Sequence, residues 1–241
     1  MTSAPTLDIL SAGAAKAVVL ALADELSKRD GVAVAGVFDA AGAIRAQFLA
    51  GTACDVLILP AAMQDELAAQ KRIDARTQAP LGHVPTGIAI AAGALVPSVG
   101  DADALRASFE DASALYCPDT ECSTAGIHFV RMLREMGIHS RVAPRIRNFP
   151  NGAQAMAAMA AMAAGGPEGE RAIGCTQVTE ILYTPGVTLI GLLPPPFELT
   201  TVYTAAVSMH SRHADRARQF AARLTGRDSE ALRVASGFAQ C

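Results

Sequence analysis

The sequence has no tryptophan, three tyrosines and eight phenylalanines in 241 residues. It also has no cationic excess: 20 Lys and Arg stand against 23 Asp and Glu, a net charge of -3. A nucleic-acid partner calls for a basic face and exposed stacking aromatics, so that class is excluded. No run is long enough to cross a bilayer; the blandest stretch, "AQAMAAMAAMAAGG" over 153–166, is too short and too rich in alanine, and no membrane insertion is expected. The five cysteines (54, 117, 122, 175, 241) are odd in number and scattered. They match neither a zinc knuckle nor a secreted disulfide framework. No metal or other cofactor is expected. The first residues, "MTSAPTLDIL", lack a basic region leading into an apolar core and a cleavage site. The expectation is a cytoplasmic protein, or a periplasmic one if a signal peptide has been removed.

What is present is half hydrophobic residues, 51%, arranged in alternating strand-like and helix-like runs. "LDIL" reads as a buried strand, 14–28 as a helix, 32–38 as a strand and 41–51 as a helix. "CDVLILP" over 54–60 is a third strand, and "AAMQDELAAQKR" a third helix. This βαβαβ order implies a parallel sheet with helices on its faces. The second half continues with a strand over 82–94, bent by Gly82, Pro85 and Gly87. A helix follows near 101–110, a strand ending at Pro118 and a helix from Ser123. "SRVAPRIRNFP" holds a strand, 152–165 is a helix, and "RAIGCTQVTEIL" starts as a strand. Two more strands flank the proline run of 194–196, and the tail over 211–236 is helical.

Four turns of very small residues lie where a strand ends and a helix begins: Ser11 to Ala15, Asp39 to Ala43, Cys122 to Gly126, and Asn151 to Ala153. Ligands of open α/β sheets bind outside the carboxyl ends of the strands. A helix N-terminus there offers unpaired N–H groups and about half a positive charge. Four such ends together would bind an anion without lysine or arginine. Each turn taken singly also has a plain reading, in which Ser or Thr merely caps a helix.

The segments "LSAGAAKAV", "AAGAIRAQFLAGTACDVLILPAA", "STAGIHFVRML" and "CTQVTEIL" with "TPGVTLIGLLPPP" occur in order across nearly the whole chain. Together they resemble the molybdate-binding-protein-like branch of the type II periplasmic solute-binding proteins, a branch to which aconitate isomerase is similar. The resemblance implies an α/β fold of two lobes, each a mainly parallel sheet flanked by helices, joined by two crossover strands. Lobe one would comprise about 1–83 plus 203–241, and lobe two about 84–202. It implies a small anionic ligand held by Ser11, Ala12 and Gly13; by Ala41, Gly42 and Ala43; by Ser123, Thr124 and Ala125; and by Asn151 and Gly152. Two positions depart from the molybdate pattern: Ala41 stands where a hydroxyl is expected, and Cys175-Thr176-Gln177 where a tyrosine is expected. Gln177 and Asn151 as amide donors suit a di- or tricarboxylate.

Allylic isomerisation of such a ligand needs a group that takes and returns a proton. Glu180, three residues beyond Gln177, is one candidate; its other reading is a first-turn carboxylate of a helix capped by Thr176. His83, at the expected crossing, is the second; its other reading is a hinge histidine bonded to backbone. His128, Asp39, Arg45, Cys122 and Cys175 have stronger structural readings. Two functions therefore stand open. One is an isomerase of an unsaturated polycarboxylate. The other is a non-catalytic binding protein for a carboxylate or molybdate-like oxyanion, acting as a sensor or, if exported, serving an ABC permease.

Overall fold

The computed structural model describes residues 6–163 and 171–239. The last residues of the helix expected over 152–165 lie outside them. Two compact units result, Met1–Val84 with Thr201–Cys241, and Pro85–Thr200.

In the first unit, β1 (Thr6–Ala12), β2 (Ala33–Asp39) and β3 (Val56–Pro60) form a parallel array, with Ser11 in register with Phe38 and with Ile58. β9 (Thr200–Ser208) joins β3 in antiparallel pairing, and β4 (Ile73–Ala91) follows it, giving the order β2-β1-β3-β9-β4. The helices α1 (Lys16–Asp30), α2 (Ala41–Leu49), α3 (Ala61–Ala69), α9 (Ala214–Thr225) and α10 (Glu230–Ala235) belong to this unit. The five residues of β3 are all buried because helices cover both its faces. Gln64 of α3 is fully buried and donates through Nε2 to Leu57 O (2.8 Å) and Thr204 O (3.0 Å), tying α3 to both β3 and β9.

In the second unit the order is β4-β7-β5-β6, with β8 (Val187–Leu192) also on β4. β5 (Leu115–Pro118), β6 (Ile146–Phe149) and β7 (Ile173–Gln177) are parallel; β4 runs against β7 and β8. One face packs Ile88, Cys117, Cys175 and Phe129. The other packs Ala89, Tyr116, Met156 and Met159. These sets alternate along each strand, as the period of two requires. Here α4 is Ala102–Asp111, α5 Thr124–Glu135, α6 His139–Val142, α7 Gly152–Ala163 and α8 Val178–Tyr183.

The α/β class and the strand–turn–helix order match the sequence reading. In each unit antiparallel strands join the parallel ones, and β4 is common to both strand orders. β4 is one strand of nineteen residues, and in the segment where a bend is expected Gly82 has φ +144° and the register shifts between Ile88 and Ala89. Its first half, "IDARTQAPL", has no apolar run and exists as a strand through its partner β9. Among the described residues no helix is long and apolar enough to cross a membrane.

Candidate functional site

In the first unit three helices start at the carboxyl ends of three adjacent parallel strands. β1 passes through a 3-10 turn, Gly13–Ala15, into α1; β2 passes into α2 behind Ala40; β3 passes into α3 behind Pro60. None of these starts has a side-chain cap. The Ser11 hydroxyl is buried and donates to Ala12 O (2.9 Å), so it does not cap α1. Asp39 accepts from Ala40 N (2.8 Å) and fixes the entry to α2. The sequence reading placed Ser11, Ala12 and Gly13 and Ala41, Gly42 and Ala43 at these turns. It missed the third turn, Pro60-Ala61, whose signal was the sudden stop of "VLILP" at two alanines.

A side-chain cap is present at the start of α4, where Asp101 accepts from Ala104 N (2.8 Å), whereas α6, α9 and α10 begin without one, as α1, α2 and α3 do. The first-turn N–H groups of a helix have no intrahelical partner, and at the ends of β1, β2 and β3 an anion can meet them.

In the second unit α5, α7 and α8 follow β5, β6 and β7. Ser123 precedes α5 without a side-chain cap bond. Asp119 accepts from Glu121 N (2.8 Å) and Cys122 N (2.7 Å) and shapes the loop. Gly126 must lack a side chain, since a Cβ would lie 2.2 Å from Asp119 O. The start of α7 is different. Asn151 Oδ1 accepts from Gln154 N (3.0 Å), and Gly152 N donates to Glu180 Oε1 (3.2 Å). Thr176 Oγ1 donates to Glu180 Oε2 (2.6 Å). The fourth turn, expected to face a ligand through Asn151 and Gly152, therefore holds a carboxyl group of the protein itself. Thr176 is not the cap of α8; Gln177 is, and Thr176 serves Glu180.

Glu180 is buried, 6% exposed. Burial pushes its carboxyl above the usual glutamate range, against the opposing pull of the Thr176 hydroxyl and the backbone N–H groups of Gly152, Ala153 and Gln177. It is a buried carboxyl group at a helix N-terminus. Nearby, Thr86 is the antiparallel partner of Gln177, and the buried hydroxyls of Thr86 and Thr179 have no hydrogen-bond partner among the described residues. Sequence reasoning passed over both because threonine beside an apolar strand is common.

The sequence pattern of bacterial extracellular solute-binding proteins matches residues 7–239. The chain belongs to that family. Aconitate isomerase from Pseudomonas sp is 25% identical over 230 residues, 93% of this chain and 84% of that one. Among solved structures, the periplasmic molybdate-binding protein of Azotobacter vinelandii superposes with a TM-score of 0.78 at 16% identity, covering 98% of this chain and 99% of that one. The sulfate-binding protein SubI of Mycobacterium tuberculosis H37Rv gives 0.68 at 15% identity, over 97% and 86%. The fold is that of the periplasmic binding proteins.

On this solute-binding scaffold the remaining candidates separate. His83 lies in the first unit and Glu180 in the second. The His83 backbone pairs with Ala239, N to O at 3.0 Å and O to N at 2.8 Å. Gly82 before it, at φ +144°, passes so near that a Cβ would sit 2.6 Å from Ala239 O. That segment is tied to Ala239. His128 is buried, its Nε2 2.8 Å from Phe197 O and its Nδ1 3.0 Å from Arg131 Nη2. Since guanidinium only donates, Nδ1 accepts and Nε2–H donates, as in a packed structural imidazole. Arg45 pairs with Glu66 across α2 and α3 (2.9 Å). Cys175 is buried and its thiol is pushed up by desolvation.

Proposed function

We propose that this protein binds a small di- or tricarboxylate at its strand-end turns and isomerises it by allylic proton transfer. The observation that carries the reading is Glu180. In a receptor that only holds an anion, a buried carboxyl group at one of the helix N-termini works against ligand binding, because the ionised form repels the ligand. A proton-transfer enzyme needs a group whose pKa has been raised toward neutrality. The relatedness to an aconitate isomerase over most of both chains supports the same reading.

The chemistry is a shift of one double bond. Glu180 as carboxylate removes a proton from the methylene carbon of a trans-aconitate-like substrate. The electron pair spreads through the double bond into a carboxylate, and the helix N-termini stabilise the charge as it develops. The proton returns to the far carbon of the allyl system, giving the cis isomer. Ser123, in the same unit as Glu180, belongs to the turns that hold the carboxylates.

The second reading is plain solute binding, with delivery to an ABC permease. It is favoured by the hydrogen bonds that both Glu180 oxygens already accept within the protein, which suit an internal cap of α7. Glu180→Gln decides between the two. For the enzyme, the variant loses about a hundredfold or more in turnover while calorimetric affinity for trans-aconitate stays within about threefold. Tight binding by the wild-type protein with no turnover establishes the receptor. His83→Ala, assayed beside it, moves the proton transfer to the first unit if it alone abolishes turnover.

A further inference from the structure

The first unit contains a hollow of about 480 Å³ between α1 and α9, far from the strand-end turns. Its floor is Leu7, Leu26 and Phe220, all buried. Leu7 is the second residue of β1, and the Ser11–Gly13 turn is at the other end of that strand, roughly 16 Å away for five extended residues. Three arginines line the hollow, Arg29 of α1 and Arg216 and Arg223 of α9, with Asp228 as the one acidic residue among them.

Two of these arginines have structural reasons to be there. Arg29 lies in the last turn of α1 and Arg223 in the last turn of α9, where a cation complements the helix dipole. Arg223 also pairs with Glu25. Arg216 has neither reason. It is the third residue of α9, where the dipole disfavours a cation, and it makes no ion pair among the described residues. Its neighbours on the helix, Asp215 and Arg218, pair with each other instead (2.8 Å). Arg216, Gln219, Phe220 and Arg223 follow the i, i+3, i+4, i+7 spacing, so they form one face of α9. That face presents apolar surface between two guanidinium groups.

We infer that this hollow is a second binding site, for a small anion with an apolar body, such as a medium-chain carboxylate or an aryl sulfonate. The apolar part lies on Leu7, Leu26 and Phe220, and the anionic group meets Arg216, whose planar fork matches a carboxylate or sulfonate. The site is separate from the strand-end turns, so its ligand does not compete with a polycarboxylate there.

The test uses 1-anilinonaphthalene-8-sulfonate as the probe on the full chain. The expected result is saturable fluorescence enhancement with one site per chain, displaced by octanoate and indifferent to octanol at the same concentration. Arg216→Glu weakens the probe about tenfold or more, Arg216→Lys stays within about threefold, and Gln219→Trp, which fills the hollow, abolishes binding. All three substitutions are at the surface, and an unchanged melting curve for each variant keeps folding out of the comparison. Failure of the wild-type protein to bind saturably overturns the inference, as does equal binding by Arg216→Glu. Displacement of the probe by trans-aconitate rather than octanoate also overturns it, by placing the probe at the strand-end turns.

Discussion

Gly152→Ala probes the contact between Glu180 and α7 with a single methyl group. A Cβ at this position would stand 2.0 Å from Glu180 Oε2, 2.0 Å from Thr176 Oγ1 and 2.6 Å from Glu180 Cδ. No rotamer of an alanine relieves that, so either α7 shifts or the carboxyl group is expelled. In both cases the bonds from Gly152 N (3.2 Å) and Thr176 Oγ1 (2.6 Å) are lost. Hydrogen bonds to a charged group contribute about 1.5–3 kcal/mol each. Replacing glycine by alanine in a helix returns at most about 1 kcal/mol. The net loss is therefore about 2–5 kcal/mol, read as a lower urea midpoint by circular dichroism. In a Glu180→Ala background the blocking oxygens are gone and Thr176 is free to turn, so the same substitution costs under about 1 kcal/mol; the difference is a coupling energy between the two positions. Gly152→Ala as stable as the wild type, or an equal penalty in both backgrounds, refutes the placement of the carboxyl group at the start of α7.

The raised pKa of Glu180 makes stability depend on pH in a stated direction. A carboxyl raised in the folded state contributes stability that is full below the unfolded glutamate pKa and is lost as pH rises through the folded value; the wild type should therefore lose stability relative to Glu180→Gln across that window, and a flat or opposite difference contradicts the shift. Burial pushes the Cys54 and Cys117 thiols up to about 12, and raises Cys175 as well, while Cys122 is exposed. Iodoacetamide on the folded protein at mildly alkaline pH should label Cys122 well before those three, as peptide mass mapping would show; equal labelling of Cys54 or Cys117 counts against their burial. Gln64→Leu orphans the Leu57 and Thr204 carbonyls and should cost about 2–3 kcal/mol in urea unfolding, with a loss under about 0.5 kcal/mol showing that Gln64 does not bridge β3 and β9.

The fold class was legible because β1, β2 and β6 each end in a turn of small residues and a helix follows. These are local signals, and α1, α2, α5 and α7 lie where they point. The first half of β4 was not legible: Asp74, Arg76, Thr77 and Gln78 look like loop, and only pairing with β9, more than a hundred residues later, makes them strand. The same holds at the candidate site. Ser11, Gly42 and Ser123 could be picked out as turn residues from their neighbours. That Gly152 and Glu180, 28 residues apart, meet across the ends of β6 and β7 could not, because the contact depends on the parallel alignment of β5, β6 and β7. Glu180 was therefore open to two local readings. The structure adds a third role, a buried carboxyl held by another helix.

The central claim is that this solute-binding scaffold moves a proton on its ligand. Proton NMR of trans-aconitate with the wild-type protein in deuterated buffer tests it most directly. The account predicts loss of the methylene signal through deuterium incorporation together with growth of the cis isomer, both suppressed about a hundredfold in Glu180→Gln. A wild-type protein that binds trans-aconitate, by calorimetry on the same sample, and leaves its methylene protons unexchanged contradicts the account.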